Sequence, residues 1–244
     1  MSRQRAAKSQ RRLASFPENT ISFNQAKPIK QRPIDIVPRT LNQERLVLAL
    51  QDKQQHIVVT AGPAGTGKTY LAMLTAVKAF REGEIDRIVL TRPAVGVEDE
   101  KHGFLPGDLN QKMDPWIRPL TDILREYYRQ ADIQSMIEEQ KIEIAPLAFM
   151  RGRTFKNCFI IADEMQNATP NQVKMLMTRI GQGSKIVITG DIEQADRNRG
   201  NNGLMDLCSR LGKGGVKGIA VCDLDNHDIQ RHKIIDSVLH LYAF

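Results

Sequence analysis

The sequence predicts an α/β fold with a mostly parallel central sheet and helices on both faces. From about residue 40, short β-branched runs alternate with longer helical stretches, and this alternation is typical of parallel sheets covered by helices. Several runs are apolar almost throughout, as expected of central strands buried on both faces. With 244 residues the chain is long enough to bury one substantial core.

The predicted strands are residues 56–61, 87–91, 142–145, 158–163, 185–189 and 217–222. The predicted helices are residues 41–51, 68–82, 109–130, 132–140, 170–180, 202–211 and 228–241. A helical insertion, residues 93–140, separates the second strand from the third. Such insertions usually lie at the rim of a sheet, where binding sites are built. Residues 40–244 are therefore predicted to form a single domain.

The excess positive charge lies in the first 39 residues. Residues 1–39 contain nine Lys/Arg and two acidic residues, which accounts for the whole net charge of +7. The segment has four prolines, many Gln and Ser, and no hydrophobic period, so we predict a flexible basic arm. Basic arms attract phosphate backbones by releasing counterions, although a solubilising tail has the same composition.

A phosphate-binding loop is predicted between the first strand and the second helix. The segment GPAGTGKT satisfies the pattern G-x-x-x-x-G-K-[ST] completely, with a strand before it and a helix after it. Backbone N–H groups and a helix N-terminus then converge on the phosphates of a nucleotide. Lys68 is expected to reach the β- and γ-phosphates, and the Thr69 hydroxyl to bind Mg²⁺. The predicted nucleotide contacts in this segment are Gly62, Pro63, Ala64, Gly65, Thr66, Gly67, Lys68, Thr69 and Tyr70.

A pair of acids is predicted to complete the site. The apolar run FIIA ends in Asp163 and Glu164, which places both at the carboxyl edge of the sheet beside the phosphate loop. Asp163 is expected to hold Mg²⁺ through water. A second carboxylate, Glu164, can orient and deprotonate an attacking water. The pair therefore favours ATP hydrolysis over phosphoryl transfer to a metabolite.

Two glutamines are further candidates. Gln194 follows the segment TGDIE at the end of a strand, where it could contact the γ-phosphate or the attacking water. The amide of Gln43 could pair with both the donor and the acceptor on the edge of adenine. Because the sequence contains no Asn-Lys-x-Asp guanine-binding motif, ATP is preferred to GTP.

These segments together resemble the PhoH family, phosphate-starvation-inducible P-loop ATPases related to superfamily 1 helicases. The matching segments are TLNQ, GPAGTGKT, TRPAV, HGFLPGDL, DPWIRPL, IEIAPLAFMRGRTF, FIIADEMQNAT and ITGDIEQ. The resemblance implies a RecA-like core, ATP as the nucleotide and a link to RNA. It also implies that Gln43 contacts adenine and that Gln194 is a helicase-like coupling glutamine. The motif arginines Arg92, Arg151 and Arg153 would face nucleic acid or phosphate, or form salt bridges within the fold.

The resemblance also raises the question of which cation, besides Lys68, stabilises the charge on the leaving γ-phosphate. Superfamily 1 helicases complete their site with an arginine from a second RecA-like domain, for which this chain has no room. An arginine supplied in trans is the usual alternative. We therefore expect a homo-oligomeric ring, with a hexamer as one possible size and Arg231 as the first candidate. Arg197 and Arg199 are the next candidates.

Composition and motifs leave two functions open. The first is an ATPase that moves along or remodels RNA or another single-stranded nucleic acid. The second is an ATP-dependent switch in which the nucleotide governs oligomerisation without movement along a strand. No apolar run approaches the ~20 residues of a membrane helix, and no secretory signal is evident, so a cytoplasmic protein without a membrane partner is expected.

Overall fold

The sheet is parallel throughout and contains six strands. The computed structural model describes residues 33–93, 121–193 and 202–230. In chain order the strands are β1 (Ile57–Ala61), β2 (Arg87–Arg92), β3 (Ile142–Pro146), β4 (Cys158–Ala162), β5 (Lys185–Gly190) and β6 (Ile219–Asp223). Their order across the sheet is β3-β2-β4-β5-β1-β6. Strand β5 therefore lies between β1, which leads into the phosphate loop, and β4, which ends at the two acids.

Five α-helices that lie wholly within the described residues connect and cover the strands. They are α1 (Leu41–Gln51), α2 (Lys68–Arg81), α3 (Gln130–Glu138), α4 (Pro170–Met177) and α5 (Gly203–Gly212). Local chemistry explains two of the starts. The Thr40 side chain accepts a hydrogen bond from the Gln43 N–H at the start of α1. Helix α4 begins with proline after Thr169, whose side chain completes a reciprocal capping box.

The core consists of two apolar layers, one on each face of the sheet. Helices α1 and α2 pack on one face, where residues such as Leu46 and Met73 are fully buried. Helices α4 and α5 pack on the other face, over Ile160 and Ile188. The central strands β1 and β4 are buried at every position. The predicted α/β fold, a RecA-like arrangement of a parallel central sheet with helices on both faces, is confirmed.

Three helix boundaries differ from the prediction. Residues 121–125 are helical, but residues 126–129 form a turn before α3 begins, so residues 109–130 are not one continuous helix. Helix α4 ends at Met177 because the chain must turn to bring Ile180 into a parallel bridge with Phe155. Residues 226–228 form a short 3-10 helix and residues 229–230 are not helical, so no α-helix begins at residue 228.

The packed body also begins earlier than residue 40. Ile34 and Ile36 are half-buried against the core layer beneath α1. Their alternate positions let an extended chain place both side chains on the same face. The remainder of the predicted basic arm, residues 1–32, lies outside the described residues, as does most of the predicted insertion. In the part of the chain that the structure describes, no helix has both the length and the apolar character needed to cross a membrane.

Candidate nucleotide site

The predicted site lies at the carboxyl edge of the sheet. A cavity of about 250 Å³ is bordered by the phosphate loop, the first turn of α2, and the ends of β4 and β5. The lining includes Lys68, Thr69, Tyr70, Asp163 and Glu164. Folding thus brings together the two groups of residues that the motifs predicted from segments almost 100 positions apart in sequence.

The phosphate loop follows a backbone path that requires glycine. Gly62, Gly65 and Gly67 have φ values of 151°, 87° and 86°, a region that residues with a Cβ rarely adopt. At Gly62 a methyl group would also overlap the carbonyl oxygen of Leu224. Gly67 directly precedes α2, so the loop ends with the N–H groups at the start of a helix.

The Lys68 side chain lies within the curve of this loop. Its ammonium group donates to the carbonyl oxygens of Gly62 and Pro63, both at 2.7 Å, and to the Thr66 hydroxyl at 3.3 Å. Lys68 is also buried. The positive charge is therefore held close to the backbone amides that would surround a phosphate group.

Asp163 is a buried carboxylate that accepts hydrogen bonds from residues of two strands and a helix. Oδ1 accepts hydrogen bonds from the hydroxyls of Thr69, at 2.8 Å, and Thr189, at 2.5 Å. Oδ2 accepts from Nε of Arg92 at 3.1 Å and from its Nη2 at 2.5 Å. The Thr69 hydroxyl and Asp163 Oδ1 lie close together. Both are hard oxygen ligands of the kind that Mg²⁺ prefers. The guanidinium on Oδ2 indicates that this carboxylate accommodates a cation, so Thr69 and Asp163 fit a magnesium site.

Glu164 has a strained backbone and an accessible side chain. Its φ of 56° lies in the left-handed region, which is uncommon for a residue other than glycine and is enriched at functional sites. The side chain is 48% exposed and faces the cavity. Oε2 accepts a hydrogen bond from the Gln166 amide at 2.6 Å, and Oε1 lies 4.0 Å from Nη2 of Arg92.

Gln166 joins Glu164 to the end of β5. It is buried, and its Oε1 accepts from the backbone N–H of Asp191 at 3.1 Å. One amide therefore contacts Glu164 and the residue that follows β5, three positions before the predicted Gln194. The sequence analysis did not single out Gln166 or Thr189. A polar residue two positions after the acids and a threonine at the end of an apolar strand were the available signals.

Gln43 is buried and hydrogen-bonded to three backbone groups. Its Nε2 donates to the carbonyl oxygens of Thr66, at 3.0 Å, and Asp228, at 3.4 Å, while Oε1 accepts from the Arg39 N–H at 2.8 Å. Gln43 therefore braces the phosphate loop against α1. Contact with adenine stays a prediction, for which the second lone pair of Oε1 is the available group.

The segment after β6 is tied to the same loop. The Gln230 N–H donates to the Gly65 carbonyl at 2.9 Å. The Asp228 carboxylate accepts from the Thr40 hydroxyl and from the Asn42 amide. Burial acts to raise the pKa of Asp228, but these hydrogen bonds and that of the Asp225 N–H outweigh it, so the pKa lies below its ordinary value.

The motif arginines separate into three environments. Arg92 pairs with Asp163, as described. Arg153 pairs with Glu143 and lies over the Phe155 ring at 4.5 Å, so it forms a salt bridge within the fold. Arg151 is exposed. The remaining predicted site residues, Gln194 and Arg231, and the alternatives Arg197 and Arg199, lie outside the described residues.

A larger cavity, of about 420 Å³, lies at the opposite edge of the sheet, at the amino ends of the strands. Its lining includes Lys185, whose ammonium group donates to the carbonyl oxygens of Ala49, Leu50 and Asp52. Burial lowers the pKa of Lys185 to about 8. The cavity is remote from the phosphate loop, so its size does not make it the nucleotide site.

Curated proteins from several bacteria are similar to this chain. A "PhoH-like protein" of Synechocystis sp. is 46% identical over 204 residues, 84% of this chain and 61% of the relative. A "PhoH-like protein" of Bacillus subtilis is 45% identical over 204 residues, 84% of this chain and 63% of the relative. "Protein PhoH" of Escherichia coli is 37% identical over 211 residues, 85% and 58% of the two chains. The chain thus spans about six tenths of the length of these relatives.

Solved structures resemble the fold more distantly. The Pyrococcus furiosus Hef helicase domain has a TM-score of 0.45 and 11% identity, covering 79% of this chain and 39% of that chain. Domain III of the Thermotoga maritima replication initiation protein DnaA has a TM-score of 0.36 and 15% identity, covering 88% and 77%. Neither likeness is close enough to carry an argument about function. The family model described as "PhoH-like protein" matches residues 35–243. Most of the chain therefore matches one family: it belongs to the PhoH-like proteins.

Proposed function

We propose that this protein is a magnesium-dependent ATPase that acts on RNA or another single-stranded nucleic acid in the cytoplasm, as a helicase-like motor or remodeller. The observation that carries the proposal is the meeting of Lys68 and Thr69 with Asp163 and Glu164 around one cavity. A loop of backbone amides and an ammonium group suits a triphosphate. The two acids opposite suit a metal ion and an attacking water.

Each polar residue of the cavity has a chemical role in this proposal. Lys68 and the loop amides hold the β- and γ-phosphates, and Thr69 and Asp163 hold Mg²⁺. The magnesium ion, when bound, would neutralise charge on the phosphate oxygens. Glu164 accepts a proton from the attacking water, whose oxygen bonds to the γ-phosphorus as the bond to the bridging oxygen breaks. ADP and inorganic phosphate are the products.

The exposure of Glu164 favours water as the acceptor of the phosphoryl group. Its side chain is about half exposed, while the neighbouring Asp163 is buried among donors. A water can therefore reach Glu164 from solvent, and the acid that holds the metal stays separate from the acid that accepts the proton. Small-molecule kinases instead exclude water when the site closes.

Charge supports a nucleic-acid partner. The body of the chain is electrically neutral, and the basic residues concentrate in residues 1–39. A basic segment attached to an ATPase would attract a phosphate backbone and make binding fall steeply with salt. An arginine supplied by a neighbouring copy in a ring, with Arg231 as the first candidate, would complete the charge around the γ-phosphate.

The test is ATP turnover of the wild type, Lys68→Ala and Glu164→Gln, each without polymer, with RNA and with single-stranded DNA. Measurements at low and physiological salt report the electrostatic contribution. Both variants should lose turnover by about 100-fold or more, while Glu164→Gln should still bind a fluorescent ATP analogue. Full turnover by Lys68→Ala would exclude this cavity as the site of hydrolysis.

The same experiment separates the proposal from an ATP-dependent switch. Nucleic acid should raise the wild-type turnover rate if the protein is a motor or remodeller. A rate indifferent to RNA and DNA, together with an oligomer size that follows ATP in sedimentation, would favour the switch. Turnover and assembly of Arg231→Ala then test the predicted arginine, because full turnover with unchanged assembly discards it.

A further inference from the structure

The loop after β3 presents an exposed aromatic side chain at the edge of the sheet that holds the nucleotide site. Of the four phenylalanines in the described residues, Phe80, Phe155 and Phe159 belong to the core or pack against it, whereas Phe149 is 55% exposed. Phe149 belongs to a short 3-10 helix, Leu147–Met150, that follows β3 directly. An aromatic ring of this kind is a large apolar surface offered to solvent, and such surfaces often mark binding sites.

The fold holds this ring outward. A 3-10 helix repeats every three residues, so Leu147 and Met150 share one face, and both are fully buried. Ala148 and Phe149 occupy the outer face and are exposed. Because the inner face is anchored in the core, Phe149 cannot turn inward without removing Leu147 and Met150 from it.

A cation lies two positions after the ring. Arg151 is exposed, and within residues 33–93, 121–193 and 202–230 no ion pair or hydrogen bond occupies its guanidinium. The next arginine, Arg153, is different: it pairs with Glu143, and its backbone carbonyl accepts from Arg179 at 3.3 Å. Arg153 therefore fixes the loop, and Arg151 stays available. The Cα atoms of Phe149 and Arg151 are at most about 7 Å apart, a distance that one nucleotide can span.

This loop is connected through Arg92 to Asp163, the proposed magnesium ligand. Pro146, at the end of β3, is in register with Arg92 at the end of β2. The Arg92 guanidinium contacts Asp163, as described above. A ligand that shifts the end of β3 would therefore act on the residue beside Asp163.

We infer that Phe149 and Arg151 form a contact site for single-stranded nucleic acid. Phe149 stacks on an unpaired base, and Arg151 pairs with a backbone phosphate. Stacking of this kind tolerates any base, since every base has an aromatic face. The inference rests on the proposed action on nucleic acid and assigns to it residues of this chain.

The test is the binding of fluorescein-labelled 20-residue RNA and DNA oligonucleotides to the full chain, measured over a range of salt concentrations. Phe149→Ala should raise Kd by about 5- to 150-fold, the range for loss of one stacked base, and leave the slope of log Kd against log salt unchanged. Arg151→Ala should reduce that slope by about 0.7, the value for one phosphate of a single strand. A duplex of the same length should compete poorly and should not respond to Phe149→Ala.

The matched controls are Leu48→Ala, an exposed apolar residue of α1, and Arg210→Ala, an exposed arginine of α5. Both should bind as the wild type does. Urea unfolding midpoints of all variants should agree, because each side chain is exposed.

A wild type that binds single strands, with the same Kd and salt slope in Phe149→Ala and Arg151→Ala, would overturn this inference alone. A wild type that binds neither RNA nor DNA would overturn the nucleic-acid part of the proposed function as well. Equal loss on duplex and single strand would exclude stacking on an unpaired base and overturn this inference as well.

Discussion

Replacing Gln166 with leucine should slow ATP hydrolysis more than it weakens ATP binding. Gln166 donates to Glu164 at 2.6 Å and accepts from the Asp191 N–H at 3.1 Å. Leucine is similar in volume, so the packing of the buried side chain against Gly190 is largely kept while both hydrogen bonds are lost. Glu164 would then lose the contact that fixes its carboxylate toward the water.

The size of the effect follows from the two bonds. A hydrogen bond to a charged group contributes about 1.5–3 kcal/mol. Because Glu164 is 48% exposed, solvent replaces part of the lost bond, and we expect a value of about 1.5 kcal/mol, which is about tenfold in kcat. The Asp191 N–H is buried at the other bond, so losing its acceptor should also lower the free energy of unfolding by about 1–3 kcal/mol.

The assay is steady-state turnover with kcat and KM measured separately, together with urea unfolding. We expect kcat to fall and KM to stay near the wild-type value. Gln134→Leu is the control, because Gln134 makes the same amide-to-carboxylate hydrogen bond, to Glu138, on the exposed face of α3. If Gln166→Leu lowered stability but left kcat at the wild-type value, Gln166 would have no positioning role.

Three other perturbations test the surrounding structure. Gly62→Ala should weaken binding of a fluorescent ATP analogue, because its methyl group meets the Leu224 carbonyl, whereas Gly212→Ala meets open space and should not. Lys185→Met removes the ammonium group that donates to the carbonyl oxygens at the end of α1, and should lower the free energy of unfolding by about 1–2 kcal/mol in urea titrations. The pKa of Asp228 is lowered from 3.8 in the folded protein, so the unfolded chain binds the proton first as pH falls. Stability should therefore decline between about pH 5 and pH 3 in the wild type, and less in Asp228→Asn.

Sequence patterns predicted the strands and the residues that line the candidate cavity because both depend on local chemistry. Glycine spacing fixes the phosphate loop, and an apolar run that ends in Asp163 must bring that acid to the carboxyl edge of a parallel sheet. The lateral order of strands has no such local signal. The pattern of β5 identifies it as a strand, but its place between β1 and β4 depends on how the helices pack.

Side-chain partners were the hardest feature to predict. The contact of Gln43 with adenine, which the family resemblance implies, stays a prediction, while the bond from its amide to the Thr66 carbonyl had no signal in the sequence. Arg92 was expected to face nucleic acid or phosphate, or to form a salt bridge, and its partner is Asp163. Polar side chains have several suitable partners in any sequence, and only the tertiary structure selects among them.

The end of β5 limits which amino-acid substitutions this protein can tolerate. Its Gly190 carbonyl accepts from the Gly62 N–H of the phosphate loop, its Thr189 hydroxyl donates to Asp163, and its Asp191 N–H donates to Gln166. Three successive residues thus serve both halves of the site, and a side chain at Gly190 would overlap Gln166. A substitution that improves one half would disturb the other, so change here requires compensating substitutions made together. An engineer who wishes to retune the protein has more freedom at the rim than at this strand.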